Sequence, residues 1–282
     1  MNKPLALLAA SAVLCLGGAL TGCKKLEARD NLNKGVQAFK NAKYPEAVEF
    51  FKQAIELDPT YPTARLYLAT AYMSQYIPGA ESPENLAYAK NAAENFMKVL
   101  ETDPKNSTAL KSLASLYYQQ ANGMQTVEDK LKKLDEAAGW YQKLAEADPN
   151  EKEAFYSLGV IAWAKYYPAW MAARTKLNMK PEAPGPIKDK KVREELIAKY
   201  SNIINEGIAN LEKALQIDKD YDDAMAYMNL LHRERADLAP DEAGYKKDVD
   251  IADEWMSKAL ETRKMKAEAA AKKAGGGITE GN

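Results

Sequence analysis

Side chains able to do chemistry are few and scattered in this 282-residue sequence. Its single histidine is His232, and its two cysteines are Cys15 and Cys23. Nucleophilic catalysis needs a thiol or hydroxyl beside a base, and a metal site needs converging histidine, cysteine or carboxylate ligands. His232 has neither a second histidine nor a thiol to complete a site, so it reads as structural. Asp218, Asp220 and Asp222 imitate the opening of a calcium loop. Yet the sixth place holds Asp223, where such a loop needs glycine, and the twelfth holds Asn229, where it needs a bidentate glutamate. These carboxylates read as a solvated turn. Gly275-Gly276-Gly277 lacks the lysine and hydroxyl residue that follow a phosphate-cradling loop. The expectation is a non-enzyme with no cofactor and no metal.

Cys23 is the exception, because of what precedes it. The chain is polar overall, with a mean hydropathy of -0.49 and 28% charged residues. One stretch breaks that pattern: after Lys3, Pro4 to Leu20 carries no charge, and the chain then reads Leu20-Thr21-Gly22-Cys23. A positive start, an apolar run and small residues before a cut site form the arrangement of a secretory signal. The last four residues resemble the lipobox of bacterial lipoproteins, whereas Cys15 follows Leu14, not a small residue. That resemblance implies removal of residues 1–22 and attachment of diacylglycerol to Cys23, followed by acylation of the new amino group with a chain such as palmitate. No thiol and no disulfide would then remain. In the familiar sorting rule, aspartate after the cysteine retains a lipoprotein in the inner membrane. Lys24 stands there, so the expected location is the cell envelope, lipid-anchored in the outer membrane and facing the periplasm. Of the 39 basic residues only Lys3 would leave with the signal, against 40 acidic ones, so the net charge moves from -1 to about -2. Lys188 to Lys191 is a short basic patch beside Glu194 and Glu195, so no nucleic-acid partner is expected.

The rest of the chain repeats. Asp58-Pro59, Asp103-Pro104 and Asp148-Pro149 lie 45 residues apart, each closing a run of helical periodicity. Ahead of them runs one ladder: Ala47, Phe51 and Ala54; Ala92, Phe96 and Val99; Ala137, Tyr141 and Leu144. Gly207, Leu211 and Ala214, then Ala252, Met256 and Ala259, continue it without proline. Gly35, Ala69, Ala114, Gly159 and Asn229 occupy an earlier, mostly small position. This pattern resembles the tetratricopeptide repeat (TPR), with Asn31 and Lys34 departing from the tryptophan and leucine the family prefers. The physical logic is that small residues let two antiparallel helices, A and B, approach closely while a large residue fills the gap and proline stops the chain. One such hairpin cannot bury its apolar face alone, so hairpins stack.

The expected fold is therefore all-α: a TPR-like helical-hairpin solenoid with lengthened hairpins and one long insertion. Its expected organisation is a signal peptide at 1–22, a lipidated tether at 23–27, about five repeats over 28–263 and a polar tail at 264–282, disordered after the Ala/Lys-rich segment that ends near Lys273. Repeats two, three and five each carry 11 extra residues between their A and B signatures, close to three helical turns, expected to lengthen both helices. The fourth holds an insertion at about 164–200, with Tyr166-Tyr167-Pro168-Ala169-Trp170 and prolines 181, 184 and 186. Pro168 is expected to end a helix, with a short helix over 169–178 and a restart near Lys188. Trp170 is then either a contact on a lid or docking arm, or a cap on the core.

In the family, helix A lines the partner groove. Four residues after each small position stand Phe39, Met73, Tyr118, Trp163 and Arg233, with Leu66 and Tyr156 flanking. Phe39, Leu66, Met73, Tyr118, Tyr156 and Trp163 are the candidate groove, suited to an amphipathic helix or extended apolar peptide unless the inserts bury it. Leu32 and Val36 stand where chaperone-binding members carry a lysine/asparagine carboxylate clamp. The resemblance implies a membrane-anchored scaffold for protein–protein interactions in the envelope, with a protein or peptide partner. The alternative is a small-ligand or peptidoglycan-binding lipoprotein with the fourth-repeat insertion as its lid.

Overall fold

Ten helices follow one another without a strand among the described residues, which in this computed structural model are 5–180 and 185–275, with side chains described from Cys23 to Lys272 apart from the same gap. They are α1 (Leu5–Lys40), α2 (Tyr44–Leu57), α3 (Pro62–Met73), α4 (Pro83–Thr102), α5 (Ser107–Gly123), α6 (Val127–Ala147), α7 (Lys152–Lys176), α8 (Lys190–Ile217), α9 (Asp222–Ala236) and α10 (Glu242–Gly275). The side chains of the expected signal segment, 1–22, lie outside the described residues, as do 276–282 of the expected tail. Cys23 is exposed and part of α1, and Lys24 to Glu27 are helical and exposed with it. Residues 264 to 275 continue α10. Among the described residues no helix is long and apolar enough to cross a membrane. The chain divides into two compact units, Met1–Lys130 and Leu131–Asn282.

In the first unit each helix packs on the next from α1 to α5, and the A helices α1, α3 and α5 also touch in order. The small–large logic is visible at Gly35. A Cβ there would lie 2.4 Å from Cε1 of Phe51, which is fully buried and stacks on Tyr67 at 5.6 Å. Lys34, in a place the family gives to leucine, is exposed and pairs with Asp30 one turn earlier at 2.6 Å. The first Asp-Pro pair closes its B helix by two hydrogen bonds: the Asp58 amide donates to the Ala54 carbonyl, while its carboxylate accepts from the Thr60 amide.

The insert of the second hairpin does not lengthen helix A. α3 has 12 residues and stops at Met73, whereas α4 has 20. Pro78 and Gly79 (φ +81°) break the chain between them, and the buried Asn85 amide holds the resulting loop through the Ile77 amide and the Ile77 and Ala80 carbonyls. Gly123 lets α5 approach this loop, since a Cβ there would lie 2.7 Å from the Gly79 nitrogen.

In the second unit α7 packs on α8 and α9, α8 on α9, and α9 on α10. Gly159 repeats the device of Gly35: its Cβ would lie 2.4 Å from Cγ of Leu211. At the corresponding place in the last hairpin, Asn229 is buried and donates to the Ala252 carbonyl of α10 at 2.8 Å. A hydrogen bond there replaces the close apolar approach. Pro168 does not end a helix; α7 runs through it for 25 residues, and the separate helix expected over 169–178 is its last turns. An interior proline costs about 3 kcal/mol in a helix free of other contacts. Here Tyr166, Trp170 and Ala173 on either side are buried in the core of this unit, and that packing outweighs the local preference. Helix α8 starts at Lys190, close to the expected restart.

A candidate partner-binding face on the A helices

Each predicted groove residue sits on an A helix, and each is half-buried. In the first unit Phe39 lies near the end of α1, edge-on to Tyr44 at 5.3 Å. Leu66 and Met73 lie on α3 and Tyr118 on α5, where burial pushes the Tyr118 hydroxyl pKa up against a hydrogen bond with Asn122. In the second unit Tyr156 and Trp163 lie on α7 and belong to a chain of rings. Tyr221 and Tyr156 are 4.9 Å apart, Tyr156 and Tyr227 5.7 Å, and Tyr227 and Trp163 5.7 Å. Trp163 and Tyr167 follow at 4.8 Å, then Tyr167 and Trp170 at 5.6 Å. Arg233, the last place of the column, is exposed and pairs with Asp253.

Beneath these rings lies a buried polar network that the sequence reading missed. The Trp163 indole donates to Glu234 Oε1 at 2.7 Å, and the Trp170 indole donates to Asp237 Oδ2 at 2.6 Å. Arg174, 1% exposed, donates to the same Asp237 oxygen and, through Nε at 3.2 Å, to the Lys180 carbonyl. The Asp237 carbonyl in turn accepts from the Ile187 amide at 3.0 Å. Asp237 therefore ties the last turns of α7 to both ends of the segment leading to α8. Trp170, the candidate contact on the insertion, is buried within this network.

Burial dominates the electrostatics of the network. It pushes the Glu234 carboxyl up to about 8, against the indole of Trp163, which favours the charged form. It also raises Asp237, although Arg174 and Trp170 oppose it, and it raises the Tyr166 hydroxyl. Glu234 Oε2 and the Tyr166 hydroxyl are buried without a hydrogen-bond partner. A partial sequence signal existed: Tyr227, Leu231 and Glu234 lie on one stripe of α9, so an acid stands in line with large apolar residues.

The other chemically interesting residues are structurally occupied. His232 is buried with Nδ1 3.1 Å from Asp248, which also accepts from Arg235 at 2.6 Å. Burial pushes the Asp248 carboxyl up, yet His232 and Arg235 together hold it down at about 2. Asp218 accepts from Lys152 and from the Asp220 amide, and Asp222 pairs with Arg263 at 2.7 Å and Lys266 at 2.6 Å. Among the described residues no group of three or more histidines, cysteines and carboxylates is arranged to hold a metal ion.

Comparison with known proteins agrees with this architecture. A family model described as TPR repeat matches residues 38–75, and one described as tetratricopeptide repeat matches 86–152. The chain therefore contains tetratricopeptide repeats. No curated protein matches it in sequence. Among solved structures, a crystal structure of MamA is similar with a TM-score of 0.50 at 15% identity, covering 86% of this chain and 94% of that one. The protein TTC0263 of Thermus thermophilus, titled a thermophilic TPR protein, aligns with a TM-score of 0.40 at 20% identity over 72% of this chain and 98% of its own. YrrB, titled a TPR protein with an unusual peptide-binding site, aligns at 0.44 and 16% identity over 83% of this chain and 90% of its own. At such identities the MamA likeness shows the fold: an all-α, TPR-type array of helical hairpins.

Proposed function

We propose that this chain is a lipid-anchored scaffold of the bacterial cell envelope, held in the outer membrane through Cys23 and binding a protein or peptide partner on its A helices. The observation that carries the partner-binding part is the half-buried state of Phe39, Leu66, Met73, Tyr118, Tyr156 and Trp163. Large apolar side chains that the core does not fully cover are where a partner finds area to bury. The signal-like segment and the exposed position of Cys23 support the anchor. With two or more acyl chains such an anchor is lasting. Helix α1 begins before Cys23 and continues to Lys40, so the first repeat would stand directly on the membrane surface.

A small-ligand reading keeps one supporting observation, a cleft of about 310 Å³ between the end of α7 and the start of α8. Its floor is Ala169, Ala173, Leu196 and Tyr200 and its rim carries Lys176, Glu195 and Lys199. The partner reading is preferred because Ala169 to Lys176 belong to α7 instead of forming a lid.

Truncating Trp163 would strip Glu234 of its donor, so the test uses Tyr118→Ala with Tyr167→Ala. In cells, this variant should lose a crosslinked partner while the purified protein keeps its melting temperature, and Cys23→Ala should abolish incorporation of labelled palmitate. Unchanged partner recovery would overturn the binding face, and palmitate labelling of Cys23→Ala equal to wild type would overturn the lipid anchor at Cys23.

A further inference from the structure

The large side chain of the repeat ladder is covered in every hairpin but the last. Phe51, Phe96, Tyr141 and Leu211 are buried, whereas Met256, at the same place on α10, is 39% exposed. One turn further on, Ile55, Leu100 and Ala145 are half-buried and Leu215 is buried, whereas Leu260 is 58% exposed. Stacking order is the cause. Helices α2, α4 and α8 each lie between two A helices, and Phe51 stacks on Tyr67 of the A helix that follows it. Helix α10 packs chiefly on α9. Its uncovered side carries Val249, Asp253, Met256, Leu260, Lys264 and Ala267, whose spacings of three and four residues set them along one stripe.

The charges on this stripe select its occupant. In the earlier hairpins the place one turn before the large residue holds Val48, Ala93, Ala138 and Ile208, all covered to some degree; in the last it holds the exposed Asp253. Another apolar A helix laid over α10 would bury that carboxylate with no cation on its outer side, since its partner Arg233 reaches it from α9. A second copy of α10, laid antiparallel about Lys258, supplies the cation. Leu260 of one copy then meets Met256 of the other, Ala267 meets Val249, and Lys264 comes to Asp253, each contact occurring twice by symmetry. A parallel copy would instead set like charges opposite each other. The other charges near the stripe do not oppose the pairing. Lys246 pairs with Asp250 on the same helix, and Arg263 pairs with Asp222 and Asp223. Glu254, Lys258 and Glu261 stand about a third of a turn away from it.

We propose that α10 is a self-association surface that joins two copies of this chain through an antiparallel pair of last helices. The paired stripes run about 27 Å from Val249 to Ala267 at 1.5 Å per residue, with Met256 and Leu260 at the centre and the Asp253–Lys264 pairs on either side of them. The apolar centre supplies affinity, and the charges fix the direction and register of the pair. The contact lies on a B helix, so it goes beyond the partner-binding reading of the A helices and does not depend on it.

The test is sedimentation equilibrium of the full-length protein in density-matched detergent, over a range of concentrations. Wild type should show a reversible monomer–dimer equilibrium. Leu260→Glu, at an exposed position, should weaken it about tenfold or more and leave the melting temperature unchanged. Asp253→Lys sets two lysines opposite each other and should weaken the dimer by a similar factor. Adding Lys264→Asp to that variant should restore most of the wild-type affinity. Arg233 faces the changed position in both variants, so the recovery reports only the contact between copies. A monomer at every concentration, a dimer indifferent to Leu260→Glu, or no recovery in the double variant would each overturn the proposal. In cells, a photoreactive residue at position 260 should give an adduct of twice the chain's mass. An adduct of any other mass alone would assign the stripe to a different protein and overturn the self-pairing, while leaving the scaffold reading standing.

Discussion

Replacing Glu234 by glutamine should remove most of the pH dependence of stability between pH 5.5 and 8.5. The side chain is buried, bonded through one oxygen to Trp163, and its other oxygen has no partner. Its carboxyl is pushed from the usual 4.5 to about 8 in the folded chain. Because the folded pKa lies above the unfolded one, the folded state retains a proton that the unfolded state releases. Stability is therefore greatest below pH 4.5 and falls as pH rises, levelling off only above the folded value. The full span corresponds to about 4–5 kcal/mol, and each pH unit inside it to about 1.4 kcal/mol. Asp237 is shifted in the same direction and acts in a window that opens above 3.8, so the difference between wild type and variant isolates Glu234. Urea denaturation at half-unit pH steps measures it. Wild type should lose about 2–4 kcal/mol from pH 5.5 to 8.5, and Glu234→Gln should lose markedly less, the remainder being that of Asp237, and be the more stable protein at pH 8.5. Parallel curves for the two proteins would show that Glu234 is not buried beside Trp163 as described.

Two further perturbations address the packing. Gly159→Ala places a Cβ 2.4 Å from Leu211 and should cost about 1–3 kcal/mol in urea denaturation. Gly139→Ala meets nothing within 4 Å and should instead stabilise by about 0.5–1 kcal/mol, so equal effects at the two sites would refute the close-approach account. Asn85→Ala leaves the Ile77 amide and two carbonyls without their side-chain partner, at a cost of about 2–3 kcal/mol. Hydrogen exchange at the Ile77 amide should accelerate, and unchanged protection would show that Asn85 does not hold the loop.

The repeat was legible because its physics is local and periodic. Gly35 with Phe51, and Gly159 with Leu211, are pairs whose spacing announces the close approach that the helices make. Pro168 misleads because its preference is local, whereas the packing of Tyr166, Trp170 and Ala173 that carries the helix past it joins distant segments. The second hairpin spends its insert on a loop, since Pro78 and Gly79 break α3 and a single buried amide, Asn85, stabilises the break. Least legible was the tie between Trp163, Trp170, Arg174, Glu234 and Asp237. An acid near a helix end ordinarily reads as solvated, and only the register of α9 against α7 turns Glu234 and Asp237 inward. Trp163 consequently has two duties, one in the candidate face and one as the donor to a buried acid.

Site-specific photocrosslinking in growing cells shows whether the A helices hold the partner. A photoreactive residue replaces Tyr118 or Tyr167 on the A helices, or Glu94 or Lys213 on the B helices α4 and α8. One discrete adduct of the same mass is expected from positions 118 and 167 and none from positions 94 and 213. Adducts from the B-helix positions alone, or none from any position, would contradict it.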